Sequence, residues 1–248
     1  MSGHSKWHSI KHKKGAADAK RGKIFTKHAK LITIAARSGG EPEMNPALRA
    51  AIANAKADNV PNANIDKAVK KGSGQDKDGV VYAEALYEGV GPEGTAVLVE
   101  VITDNKNRSV ANVKTIFTKN GGTMGGAGSV SWMFDKKGMV TVKADQKPAD
   151  EAELMIIDAG AEDVSYENGA FEITTDPSDL MMVRDNLEKT GFEIENASIT
   201  YLAKNPVDID SMEKAQKVLK SLEALEDDDD VSNVYSNFDI SEEIMSQL

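Results

Sequence analysis

Lys20, Lys23, Lys27, Lys30 and Arg37 recur at spacings that stack them on one stripe of a helix, with Arg21 beside them. Ile24, His28, Leu31 and Ala35 fall on the other side, so the helix expected over residues 16–37 is cationic on one flank and apolar on the other. Ahead of it lie Lys6, Lys11, Lys13 and Lys14, with Trp7 among them. Ammonium and guanidinium groups in a row neutralise phosphates, and an indole offers a face on which an unpaired base can stack. The chemistry implied is therefore the holding of a polyanion, not bond breaking.

Charge is segregated along the chain. Of the 30 Lys+Arg, 15 lie in residues 1–74, where only 5 of the 40 Asp+Glu fall, so the first 74 residues carry +10 and the rest −20. A basic module joined to an acidic body suits a binder of polyanions whose remaining surface is repelled by them. The chain has no Cys, which excludes disulfides, thiolate nucleophiles and Cys-ligated metals, and its four His all precede residue 29. A Cu(II) or Ni(II) clip at Ser2-Gly3-His4 is conceivable, but a basic arm explains these His more simply, and neither metal nor cofactor is expected. No paired nucleophile and base, HExxH helix or isolated carboxylate pair stands out, so no enzyme is expected, nor any small-molecule substrate. No apolar run approaches a membrane span or a secretory h-region, which points to the cytoplasm and away from membranes.

Three further segments carry polar chemistry. Gly89, Gly91 and Gly94 spell G-x-G-x-x-G, yet Pro92 sits among them and a strand follows, so a hairpin connection is expected instead of a dinucleotide fingerprint. The cluster GGTMGGAG at 121–128 reads as a flexible loop, of a kind that also occurs at binding surfaces. Asp104-Asn105-Lys106-Asn107-Arg108 precedes a helix, with Asn107 or Arg108 near the cap. It is either a capped turn, or Asn105, Asn107 and Arg108 meet a phosphate or a partner backbone. The acidic run at 226–230 reads as a hydrated turn, or as a docking surface for a basic partner or the chain's own arm.

The elements that must position these residues follow from periodicity. A basic arm leads into three helices: 16–37, one capped by Asn45 with Pro46 at its first position, and one after Pro61. Strands follow at 83–88 and 95–103, a helix at 109–119 and a strand at 129–134. Next comes strand 139–143, helix 150–159, strands 163–166 and 170–174, helix 178–190 and strand 197–201, in the βαββαβ order of a split ferredoxin-like unit. Helix 211–225 and strand 231–238 close the chain. The expected class is multidomain α+β: an N-terminal arm and three-helix domain over 1–79, a discontinuous α+β domain from 80–134 with 206–248, and a ferredoxin-like domain at 135–205 inserted in it.

The blocks GHSKW at 3–7, AKRGKIFTK at 19–27, NPALRAAI at 45–52, YEGVGPEGTA at 87–96, DNKNRSVA at 104–111, GSVSWMF at 128–134 and GAEDV at 160–164 closely resemble the YebC family. The resemblance implies an N-terminal helical domain followed by two α+β domains, one inserted in the other. It also implies either a DNA-binding transcriptional regulator or a ribosome-associated translation factor, like the mitochondrial translational activator of cytochrome c oxidase subunit one, which helps synthesis through proline-rich stretches. The partners implied are DNA, or ribosomal RNA with ribosomal proteins.

Overall fold

Glycine and proline divide the basic third of the chain into helices much as their positions predict. A computed structural model describes residues 18–75, 81–144, 149–167 and 169–245. Helix Asp18–Ala35 passes into a 3-10 turn, Ala36–Ser38, and is followed by helices Pro46–Ala57 and Asn62–Gly72. Asn45 caps the second helix by accepting from the Leu48 amide, and Pro46 occupies the position where its missing N–H costs nothing. Ile32, Ala36, Leu48, Ala55, Val60, Ile65 and Ala68 form the core of this module, with Phe25 and Ala29 packed against it. The inward line of the first helix is thus Phe25, Ala29, Ile32 and Ala36. Ile24, expected inside, is 38% exposed, because a run of Ile24, Phe25, Leu31 and Ile32 lets two adjacent faces compete and packing selects one. Gly72 ends the third helix where a Cβ would stand 2.2 Å from the Thr33 carbonyl oxygen, so only glycine permits that approach.

Residues 136–200 share a compact unit with this module. They hold strands of a four-stranded sheet, numbered here with all strands in chain order: β4 (Phe134–Lys143), β5 (Asp163–Glu167), β6 (Ala170–Thr175) and β7 (Ile194–Ala203). Their spatial order is β5-β6-β4-β7, with β6 antiparallel to both β4 and β5. The first and third strands sit in the middle, as the expected ferredoxin-like unit demands. Helices Ala149–Asp158 and Leu180–Lys189 cover the sheet, burying Ile156, Val183 and Leu187 against Val140, Val142, Phe171 and Ile173.

The other unit comprises residues 80–135 and 201–248. β1 (Ala83–Val90) and β2 (Ala96–Thr103) form an antiparallel hairpin, its turn built on Pro92–Gly94, so the glycine triplet is a hairpin connection. β3 (Thr123–Met124) and β9 (Val231–Ser236) extend the sheet in the order β3-β1-β2-β9, while β8 (Val207–Ile209) pairs in parallel with β10 (Phe238–Ile240). Helices Lys106–Lys119 and Met212–Glu226 bury Val113, Phe117, Val218 and Leu222 on the face of Val97, Val99 and Val101. The opposite face holds Ala96, Leu98 and Tyr235, packed by Val130 and Phe134.

Three elements differ from the sequence expectation. The strand at 129–134 is instead a 3-10 turn at Ser131–Met133 leading into β4, because the amides of Gly128, Val130 and Ser131 donate to the Glu88 carboxylate and are lost to any ladder. The helix placed at 109–119 begins at Lys106, since Asn105 caps it by accepting from the Arg108 amide. The strand at 231–238 breaks at Asn237, whose side chain accepts from the Ala96 amide and donates to the Asn205 carbonyl.

Candidate nucleic-acid interface

The module presents its cations by turning the first helix. At about 100° per residue, Lys20, Lys23, Lys27, Lys30 and Arg37 lie on an arc roughly opposite Phe25, Ala29, Ile32 and Ala36. Lys23 and Arg37 are exposed and Lys27 and Lys30 half-buried; Arg21, also exposed, lies off the stripe near the start of the helix. Lys20 belongs to the helix by its backbone. Lys6, Trp7, Lys11, Lys13 and Lys14 lie outside the described residues.

Several contacts fix the orientation of that helix. Asn45, 5% exposed, donates through Nδ2 to the carbonyls of Ala35 and Gly39, so the residue that caps the second helix also ties down the end of the first. His28 Nε2 lies 2.6 Å from Asp58 Oδ2. Thr33 Oγ1 donates to Ala29 O and reaches the Ala68 carbonyl of the third helix at 3.3 Å.

Contacts that spacing alone did not reveal attach the module to the ferredoxin-like sheet. Asn54 donates to Ala197 O at 3.0 Å and accepts from Ala197 N at 3.2 Å, so one amide side chain satisfies both backbone groups of a residue on β7. Arg49 donates to Asp185, which also takes the buried Arg184 guanidinium. Asn54 lies outside the quoted blocks and Arg49 within NPALRAAI, yet each sits on a helix flank where periodicity suggests only solvent. Lys56, Lys67 and Lys70 are further exposed cations of the module. Their signal was available: Lys67 and Lys70 lie off the Ile65 and Ala68 side of the third helix. Residues 18–75 hold 11 Lys+Arg against 5 Asp+Glu, a field that attracts phosphate.

The second candidate group is a structural node. Asp230, 5% exposed, receives the Arg108 guanidinium at 2.7 and 3.1 Å, Ser109 Oγ at 2.8 Å and Thr103 Oγ1 at 3.1 Å, all on Oδ2. Arg108 also donates to Asp104. Asn105 is the helix cap and Asn107 an exposed residue of the first turn. The hydrogen bonds and charge of Asp230, then those of Asp104, hold the Arg108 guanidinium above its ordinary pKa. The acidic run therefore ends in a buried acceptor at Asp230, and Asp228 accepts from Asn112 beside it.

The glycine cluster is organised by Glu88. This carboxylate, 6% exposed, accepts from the amides of Gly128, Val130 and Ser131 at 2.7, 2.8 and 2.8 Å. Burial pushes its pKa up, but the three backbone donors outweigh that and hold it below the ordinary carboxylate value. Among the described residues no group of three or more His, Cys, Asp or Glu is placed to hold a metal ion, and no helix is long and apolar enough to cross a membrane.

With this geometry in place, the chain can be set beside known proteins. Residues 5–75 match the family model described as the TACO1/YebC protein N-terminal domain, and residues 82–238 that of the TACO1/YebC second and third domain. The chain is 56% identical to a probable transcriptional regulatory protein of Geotalea uraniireducens (strain Rf4) over 251 residues, covering 100% of both chains. It is 53% identical over 251 residues to another so named from Geobacter sulfurreducens, again covering 100% of both. The crystal structure of a conserved hypothetical protein, Aq1575, from Aquifex aeolicus is similar with a TM-score of 0.85 and 45% identity, over 92% of this chain and 94% of that one.

Proposed function

Since the chain belongs to the TACO1/YebC family, we propose that it is a non-enzymatic regulator of gene expression that binds nucleic acid through its N-terminal helical module, in keeping with the regulatory naming of its relatives. The observation that carries this is the first helix, whose cationic stripe lies opposite its buried line, in the one of the three domains where bases outnumber acids. In this reading the arm and module, residues 1–79, are a first domain. The discontinuous domain of 80–134 with 206–248 and the inserted domain of 135–205 form the acidic body.

DNA is the leading target. Contacts in this reading are to the phosphate backbone, since the cations of the first helix form a stripe suited to successive phosphates. The second reading is a ribosome-associated translation factor, favoured by the acid excess outside the module, which suits the basic proteins that accompany ribosomal RNA.

The test is a titration of the whole chain with duplex DNA and with ribosomal RNA across a salt series, against the variant Lys23→Gln/Lys27→Gln/Lys30→Gln. The variant is expected to bind all sequences more weakly and to lower the salt slope by about 0.9 per lost duplex contact, or about 0.7 per single-stranded one. An unchanged slope and affinity would remove the module from the reading. Sequencing the nucleic acid crosslinked to the protein in cells separates the two targets, and Trp7→Ala, weakening RNA binding while sparing duplex DNA, would favour the ribosome.

A further inference from the structure

Trp132 is 63% exposed, the largest apolar side chain so placed among the described residues, and it follows a loop held by hydrogen bonds to a buried carboxylate. Its Nε1 donates to Ser129 O, while the three preceding amides at 128, 130 and 131 are tied to Glu88. Side chains of a strand alternate, so Glu84, Leu86, Glu88 and Val90 share one face of β1. Leu86 is 37% and Val90 43% exposed. A buried carboxylate spent on holding a glycine loop, with exposed apolar groups on either side of it and an indole after it, is a preformed surface and not a solvated turn.

The charge of its unit is predominantly negative. Glu84 is exposed, Glu100 pairs opposite Leu86 and is fixed by Tyr235 Oη and Asn233 Nδ2 at 2.9 Å each, and Asp135 follows the loop, paired with Lys204. Residues 80–135 and 201–248 together hold 18 Asp+Glu against 8 Lys+Arg.

We propose that Trp132, Leu86 and Val90, rimmed by Glu84 and Glu100, form a docking surface for a Lys/Arg-rich polypeptide segment bearing an apolar anchor. The indole takes a guanidinium or ammonium on its face, the aliphatic pair takes the anchor, and the carboxylates take the remaining cations. Nucleic acid is disfavoured here, because the excess charge is opposite in sign to that of the module. The surface is therefore a second, protein-directed site, and it does not depend on what the module binds.

The experiment uses the whole chain with Trp7→Phe, which leaves Trp132 as the only one of the two tryptophans and its emission as the reporter. The probe is a short synthetic peptide of Lys and Arg interspersed with Leu and Phe. A Glu-rich counterpart and a single-stranded oligonucleotide serve as comparisons. The basic peptide is expected to shift the Trp132 emission, and the acidic peptide and oligonucleotide to leave it unmoved. Anisotropy of a labelled peptide should show affinity falling at least about tenfold with Trp132→Ala and again with Glu84→Lys. Both positions are exposed, and an unchanged circular dichroism spectrum checks the fold. No shift with the basic peptide, binding indifferent to both substitutions, or a shift produced by the oligonucleotide instead would each overturn the proposal.

Discussion

Replacing Glu88 by Gln changes one atom type in a nearly closed site, and its cost can be worked from the contacts. The carboxylate accepts three backbone amides, each at 2.8 Å or less. Hydrogen bonds to a charged acceptor contribute about 1.5–3 kcal/mol each, against roughly 1 kcal/mol for neutral ones. The Gln side chain offers one oxygen, able to accept two amides, and turns an NH2 donor toward the third. Two charged bonds become neutral and one is replaced by opposed donors. Allowing for incomplete additivity, the loss is about 2–4 kcal/mol. The pH dependence provides a second check. Glu88 is held below its ordinary value of 4.5, so its contribution is complete above that pH and is lost as pH falls through the lower folded value. Once protonated, the wild-type side chain resembles the variant. Urea unfolding followed by Trp132 fluorescence should therefore show a wide gap between wild type and Glu88→Gln at neutral pH, closing in strong acid. Hydrogen exchange at the Val130 amide should quicken in parallel. A gap of equal size at both pH values would refute the charge argument, and no gap at all would refute the anchoring role itself.

Asp230→Ala should cost roughly 2–4 kcal/mol in urea unfolding, the lower part of the range for broken buried pairs because Arg108, 48% exposed, can turn to water and to Asp104. Asn54→Ala should cost about 1–2 kcal/mol and accelerate hydrogen exchange at the Ala197 amide, while leaving the Ala96 amide unaffected. Gly72→Ala should destabilise the helical module by roughly 1–3 kcal/mol, measured by thermal unfolding, since the Thr33 carbonyl that its Cβ would strike is backbone and cannot step aside.

Much of the architecture was legible because it rests on local rules. Pro46 and Asn45 announced the second helix, alternation of Val97, Val99 and Val101 announced a buried strand face, and the βαββαβ order was readable as a sheet topology. What escaped were long-range polar contacts. Nothing near residue 130 reveals that Glu88, some forty positions earlier, will claim its amides, nor does Asn237 advertise that it will break a strand to satisfy Ala96. The first helix was misjudged by less than half a turn, since two apolar lines run along it and only the partners at Leu48, Ile65 and Ala68 decide between them. For the candidate interface, composition located the basic module, whereas Asn45, Asn54 and Arg49, which set how it is held, are single polar residues whose partners lie in other elements.

Asn54 has an effect at the population level as well. β7 is an end strand of its sheet, and an end strand presents amides and carbonyls to any chain that arrives with its own. With both hydrogen-bonding groups of Ala197 occupied by a side chain from a helix, an incoming strand finds the middle of that rim closed. A crowded solution of this protein thus loses a nucleation point for strand-to-strand accretion, and the same amide that fastens two pieces of one molecule keeps separate molecules from fastening to each other.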